Sequence, residues 1–355
     1  MRLALLGLLA LPCSEDGRPA PAAPAPAPAP LAAAVDARRW LAGDLHMHVA
    51  PPDDPGDVQL SVAQIADRAR AAKMDFVVLT PHIWPAVRAT LKTRWRKLAE
   101  DARAITGVTL IPGIEWSTPD GHFTVTGADL SAVSGDDFLA VAHAGGAFVS
   151  VNHPFAVPTR IPGVRASHFD MSYRVWTKPG ARGFTAIDGV EVWNFPLGLA
   201  NLISRPGGRT GEDRAWTEAN RVVHAEHRKV AAVGGTDNHK GNVMPTTWVL
   251  AADTSERAIL DALRAGAVCV GGPEAGSLRA RGDGDAAWHR VGDALIAPHQ
   301  VTLSWDGIAR LYIDDVDRGD HPGGFTHATD GALHTYRIVI ANSRSGFIYA
   351  NLGAP

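Results

Sequence analysis

The chain is poor in cysteine: Cys13 and Cys269 are the only two in 355 residues. One lies near the N-terminus and the other in Gly266-Ala-Val-Cys-Val-Gly-Gly272, so no structural disulfide is expected. Cys269 reads as a small residue of a buried strand. Charge of one sign is lacking too. The 34 Lys and Arg against 37 Asp and Glu give a formal net charge of -3. That balance leaves no basic excess to neutralise a phosphate backbone, which argues against a dedicated binder of extended nucleic acid. Beyond the N-terminus no apolar run is long enough to span a bilayer, and no internal repeat is evident. What is present is bulk: 46% hydrophobic residues in a chain of this length suffice for one barrel-sized core and a smaller module.

The N-terminus has the pattern of an export signal over residues 1–17. Arg2 precedes a short apolar stretch that ends at Leu11, followed by Pro12-Cys13-Ser14. Cys13 in that place resembles the acylated cysteine of a bacterial lipoprotein, although Pro12 departs from the usual small residue before it. The expected location is exported, either periplasmic or at the cell surface. Contact with a membrane is expected only through a lipid on Cys13. Residues 18–36 are rich in proline and alanine and form a linker that cannot build a core.

From residue 37 to 272 apolar runs alternate with helical patterns. Val62, Ile65, Ala66 and Ala69 share a helix face behind a Ser61 cap, and Leu91, Trp95, Leu98 and Ala102 share another. Helices are also expected over 136–143, 213–228 and 255–265, and strands over 75–80, 108–112, 147–151, 189–193, 230–235 and 246–250, with 121–127 a further candidate. This alternation argues an α/β fold with a parallel sheet, curled into a barrel. From 273 to 355 the segments 300–305, 309–313, 335–341 and 347–350 alternate in strand fashion, which reads as a small antiparallel β-sandwich-like module.

The runs of the first region end in residues that bind metals. His46 and His48 are two apart, so both imidazoles leave one face of a strand. Asp237 and His239 repeat that spacing. His82 and His153 close two other runs, and Glu115 follows a Pro112-Gly113 turn with His122 shortly after it. Asp53 and Asp54 compete for a place behind His48. In an α/β barrel the strand ends meet at one rim. Buried titratable groups are costly unless paired or coordinated, so the set points to one metal pocket. Glu191 and Asn194 are candidate supporting or pocket residues. Nitrogen and carboxylate donors without thiolate suit zinc, manganese or iron. The other histidines follow no ligand spacing, and Lys240 reads as solvated. Arg205, Arg209 and Arg214 fall in a Gly-rich loop that, with the 156–188 insert, is expected to set specificity.

In family order, the strings GDLHMH, LTPH, PGIEWST, PDGH, VNHP, VEVWN, GGTDNHKG and PTTWV cover about residues 40–270. As a set they resemble the PHP (polymerase and histidinol phosphatase) superfamily of metal-dependent hydrolases, and within it the carbaryl-hydrolase-like subgroup. The resemblance implies a distorted (β/α)7 barrel holding two or three divalent ions. One would sit on His46, His48, Glu115 and Asp237, a second on Glu115, His122 and His153, and a third on Asp54, His82 and His239. Pro81 departs from the family's aspartate and removes an acceptor for the His82 imidazole. The implied activity is cleavage of a phosphoester or a related ester or carbamate by a metal-bridging hydroxide, with no protein nucleophile. The implied partner is a small-molecule ester or phosphoester. Two other readings are an exonuclease-like phosphodiesterase on short nucleic acids and a non-catalytic, metal-stabilised binding protein.

Overall fold

Phe76-Val-Val-Leu79 contains no polar residue, and all four side chains are buried. A strand covered on both faces requires that composition. The same holds for Ala231–Gly235 and Val268–Val270, and Phe148–Val151 is buried throughout with Ser150 its one polar residue. The computed structural model describes residues 37–53, 55–156, 171–195 and 211–353. The export signal, the linker, Cys13, Asp54, Arg205, Arg209 and part of the 156–188 insert lie outside them. Among the described residues no helix is long and apolar enough to cross a membrane.

The fold is mixed α/β, built on a large sheet. Its strands are β1 (Arg39–Met47), β2 (Phe76–Leu79), β3 (His82–Ile83), β4 (Thr109–Thr118), β5 (Gly121–Thr126), β6 (Phe148–Val151), β7 (Gly189–Asn194), β8 (Ala231–Gly235), β9 (Thr247–Ala251) and β10 (Val268–Val270). β1 pairs parallel with β2, and β2 with β4. β6, β7 and β8 are parallel in turn. The end of β8 returns to β1, where the Asp237 amide donates to the His46 carbonyl at 2.9 Å and Met47 bridges Asn238.

Two features differ from the expected parallel sheet. β5 is antiparallel to both β4 and β6, because the Thr118–Gly121 connection is too short for a crossover. β9 likewise runs antiparallel to β1. Nor does the chain turn at Pro112-Gly113. β4 continues through both residues, pairing with β2 through Pro112 and with β5 from Gly113 onward. Glu115 therefore sits within a strand.

Helices cover the sheet with the faces their spacing predicts. The Val62–Ala71 helix buries Val62, Ile65, Ala66 and Ala69, and Ser61 and Gln64 close a capping box at its start. The Leu91–Arg103 helix buries Leu91, Trp95, Leu98, Ala99 and Ala102. Helices Gly211–Glu226 and Glu256–Arg264 cover the other side.

Toward the C-terminus the strands are β11 (Arg279–Gly282), β12 (His289–Arg290), β13 (Ala294–Leu295), β14 (Gln300–Ile313), β15 (Val316–Ala328), β16 (His334–Ile340), β17 (Ser343–Ser345) and β18 (Ile348–Ala350). β14 runs through the predicted break at 306–308 as a bulge, and pairs with β11, β15 and β16. β15 was not anticipated. Its Gly- and charge-rich sequence is largely exposed and lacks an alternating apolar face. These strands join the larger sheet where β17 pairs with β10, beside the buried Cys269, whose thiol burial pushes up.

Two positions hold the early strands together. Asp44 is fully buried and accepts from the His46 amide at 3.1 Å, the Thr236 amide at 3.0 Å, the Thr246 hydroxyl at 3.2 Å and the Thr236 hydroxyl. Burial nevertheless pushes its carboxyl up to about 6. Gly43 lies against the buried Phe76 ring, which a Cβ at that position would overlap. Gly43→Ala is expected to destabilise the protein by about 2 kcal/mol through overpacking. Urea unfolding would show it as a lower midpoint with an unchanged slope.

Candidate metal centre

Along β1 the side chains alternate, so His46 and His48 enter the interior while Met47 packs outward against Val49, Leu60 and Ile65. Each imidazole is held from behind at Nδ1. Glu191 Oε1 of β7 lies 3.1 Å from His46 Nδ1, and Asp53 Oδ2 lies 3.2 Å from His48 Nδ1. A carboxylate on Nδ1 fixes the tautomer and turns Nε2 toward the centre. There His46 Nε2 is 3.2 Å from Glu115 Oε1, and His48 Nε2 is 3.1 Å from Asp237 Oδ1.

The β4–β5 register places Ser117 opposite His122 and Glu115 opposite Thr124. Directly paired residues share a face, so Glu115 and His122 point inward together. Glu115 becomes the hub. Its Oε1 is 3.1 Å from His122 Nδ1, 3.3 Å from His153 Nε2 and 3.0 Å from Asn152 Nδ2. Its Oε2 is 3.3 Å from His82 Nε2. Asp53 Oδ1 accepts from the His82 amide at 2.8 Å and lies 3.4 Å from His82 Nδ1. It thus provides the acceptor that Pro81 cannot.

Eight of the nine sequence-predicted ligands therefore share one buried neighbourhood: His46, His48, His82, Glu115, His122, His153, Asp237 and His239. The ninth, Asp54, lies outside the described residues, and its rival Asp53 touches the cluster. Four triplets have donor atoms within 4.8 Å of one another: His46/His48/Glu115, Glu115/His122/His153, His46/His153/Asp237 and His48/His82/His239. The first two fall within expected sets. In the fourth, His48 stands where the resemblance places an aspartate. Glu191 and Asn194 stand behind the cluster. Glu191 Oε2 accepts from the His153 amide at 2.6 Å and from Asn194 Nδ2 at 3.2 Å.

The donor set fits divalent cations. Burial alone would raise the Glu115 carboxyl, but the charges of His122 and His46 and the bonds from His122 and His153 hold it well below the usual range. Asp237 is likewise held down against burial, first by His46. Burial opposes the charge on His48, yet its bonds to Asp237 and Asp53 push it up to about 9. For His122 and His239 burial prevails, and both are lowered. Within the cluster, His153 Nδ1 is buried without a hydrogen-bond partner, and His46 Nε2 faces Glu115 and Asp237 without an aligned hydrogen bond to either. Such groups are costly when left bare, and bound cations would compensate the carboxylates and use the free nitrogens.

Backbone geometry serves the same site. His153 and Asp237 adopt positive φ of 29° and 49°, a conformation uncommon outside glycine. At Gly235 a Cβ would overlap both His46 and Glu191, so only glycine lets β8 approach this closely.

Sequence reasoning overlooked Glu212. It lines a space of about 20 Å³ together with His153, Phe155, Glu191 and Asn194, room for one water. Its Oε1 is buried and unpartnered, and burial pushes its carboxyl up to about 7 against the opposing charge of Arg344. A lone acid in a helical first turn carries no sequence signal of this. Arg214, from the same turn, lies over the Phe155 ring at 4.1 Å.

No family model matches the chain, and no curated protein matches it. Several solved structures are similar, two of them as follows. One is a two-domain protein from Bacteroides vulgatus, described as containing a predicted PHP-like metal-dependent phosphoesterase. It shares 18% identity at a TM-score of 0.45, over 86% of this chain and 92% of its own. The other, from Bifidobacterium adolescentis, is described as an inferred metal-dependent phosphoesterase. It shares 16% identity at a TM-score of 0.35, over 62% of this chain and 96% of its own. At such values the functional reading rests on the side chains of the site, not on the likeness.

Glu212 generates a pH prediction. Its folded value, about 7, lies above the ordinary glutamate value of 4.5. The fold therefore favours the protonated form, and stability declines as pH rises from 4.5 to 7. Glu212→Gln stays neutral and is expected to lack that part of the decline. Urea midpoints at pH 5 and pH 8 should differ less in the variant than in the wild type, with the variant the more stable at pH 8.

Proposed function

We infer that this chain is a metal-dependent hydrolase of PHP type that cleaves a phosphoester or a related ester or carbamate of a small molecule. The observation that carries this reading is the convergence of six imidazoles on Glu115 and Asp237, with Glu115 within 3.3 Å of His46, His82, His122 and His153. Two or three divalent ions, zinc, manganese or iron, would be held by His46, His48, His82, Glu115, His122, His153, Asp237 and His239. When bound, such ions lower the pKa of water and polarise the oxygen of the bond to be cleaved. The chain's own residues do the positioning. Glu191 and Asp53 fix the His46 and His48 rings, and Asn152 orients Glu115 through Nδ2 while its Oδ1 accepts from the Thr124 amide at 3.1 Å.

The same reading includes a distorted (β/α)7 barrel over 37–272, for which the Met47–Asn238 bridge is the support. It also includes a small C-terminal antiparallel β module over 273–355, joined to the larger sheet through β17, and export, with a lipid on Cys13 as the anchor.

Elemental analysis of the purified protein is expected to find two or three divalent ions per chain. Turnover of nitrophenyl phosphates or of nitrophenyl esters should vanish on chelation and return on adding metal. His46→Ala should lower kcat/KM at least about 100-fold with its circular dichroism unchanged. A protein that hydrolyses neither class with any of the three metals is not the hydrolase inferred here. Glu191→Gln leaves every ligand in place but weakens the hold on His46. Its metal affinity should fall by about 10- to 100-fold, as read by competition with a chromogenic chelator.

A further inference from the structure

Trp84 is 40% exposed, and it stands at the mouth of the metal centre. Its ring stacks on His82 with centroids 5.2 Å apart at 14°, and meets His122 edge-on at 5.1 Å. Two candidate ligands thus hold one aromatic plate in place. The plate borders a groove of about 470 Å³ whose walls include Pro52, Pro55, Val87 and Arg94. His82 and Asp53 form its inner end, so the groove opens directly onto the cluster.

Arg94 supplies the second observation. It comes from the Leu91–Arg103 helix, and its Nη1 donates to the Pro52 carbonyl at 2.6 Å. Among the described residues no carboxylate pairs with it. Asp57, on the same groove, is 3.7 Å from His239 instead. A flat apolar wall and a guanidinium whose recorded bond, among the described residues, is to a neutral carbonyl match, in a space of this size, a flat ring that carries an anionic substituent.

We propose that Trp84 and Arg94 form a substrate subsite beside the metal centre, and that it selects a planar group bearing a negative charge. In a hydrolase this would be the part of the substrate flanking the bond that breaks. Trp84 stacks on the ring, and Arg94 pairs with its charge. The subsite takes its catalytic meaning from the hydrolase reading, but its binding does not depend on turnover.

The test is calorimetric titration of the metal-loaded protein with three probes. Toluene-4-sulfonate is flat and anionic, and its sulfonate is a weak metal ligand. Hexane-1-sulfonate is anionic but not flat, and 4-methylbenzyl alcohol is flat but neutral. Toluene-4-sulfonate should bind about tenfold tighter than either of the others. Trp84→Leu and Arg94→Gln should each weaken it about fivefold or more, whereas Trp288→Leu, at another half-exposed tryptophan, should leave it unchanged. Metal content is measured for each variant. If Trp84→Leu disturbs His82 and loses metal, Arg94→Gln carries the test, because among the described residues Arg94 bonds to the Pro52 carbonyl and to no side chain of the cluster. Equal binding of the three probes, or wild-type binding in both variants, overturns the subsite. Absence of turnover on every ester with intact selective binding overturns only the hydrolase reading.

Discussion

A buried carboxylate with histidines on both of its oxygens constrains everything around it. Glu115 cannot stay ionised in an apolar interior unless cationic or hydrogen-bonding groups reach it. The strands are arranged so that they do. β1 brings His46 and His48, β3 brings His82, β5 brings His122, and the end of β6 brings Asn152 and His153. These segments come from well-separated parts of the chain, and among the described residues Glu115 is the one side chain on which all of them converge. The hydrophobic core provides the force for collapse, and Glu115 with Asp237 determines which inner side chains that collapse must align.

Outside this ring stands another layer whose chemistry is simpler. Glu191, Asp53 and Asp44 accept hydrogen bonds from ligand rings and from the backbone beside them. Glu191 and Asp53 each place a negative charge behind an imidazole, which makes the inward nitrogen a better electron donor, while Asp44 holds the His46 backbone. Glu191 joins β1, β6 and β7 in one step, because it holds both the His46 ring and the His153 amide. Trp84 and Arg94 lie on the solvent side of the same construction, along the groove that leads out from His82 and Asp53.

Much of this was legible in the sequence, for reasons that can be named. His-x-His on an apolar run fixes a face, and strand ends in an alternating pattern share a rim, so period and order, with the family resemblance for His122, pointed to the eight side chains that the fold brings together. Helix faces followed from the spacing of Val62, Ile65, Ala66 and Ala69. Direction of pairing did not. Nothing local in Gly121–Thr126 distinguishes an antiparallel neighbour from a parallel one, and Pro112-Gly113 looks like a turn until its partners on either side are known. β15 escaped notice because an exposed edge has no need of alternating apolar residues. The bonds of Asp53 to His48 and to the His82 amide depend on backbone path, which residue type alone does not give. Trp84, Arg94 and Glu212 were silent because their significance lies in what surrounds them.

β1 is hydrogen-bonded along both sides, to β2 on one and over five residues to β9 on the other. A strand clamped in this way cannot slide by one position, and a slide of one would turn both imidazoles out of the pocket. The metal-binding geometry is therefore closed to gradual adjustment. Any drift toward a new substrate has to be written in the rim, where Trp84 and Arg94 can be exchanged without moving a strand.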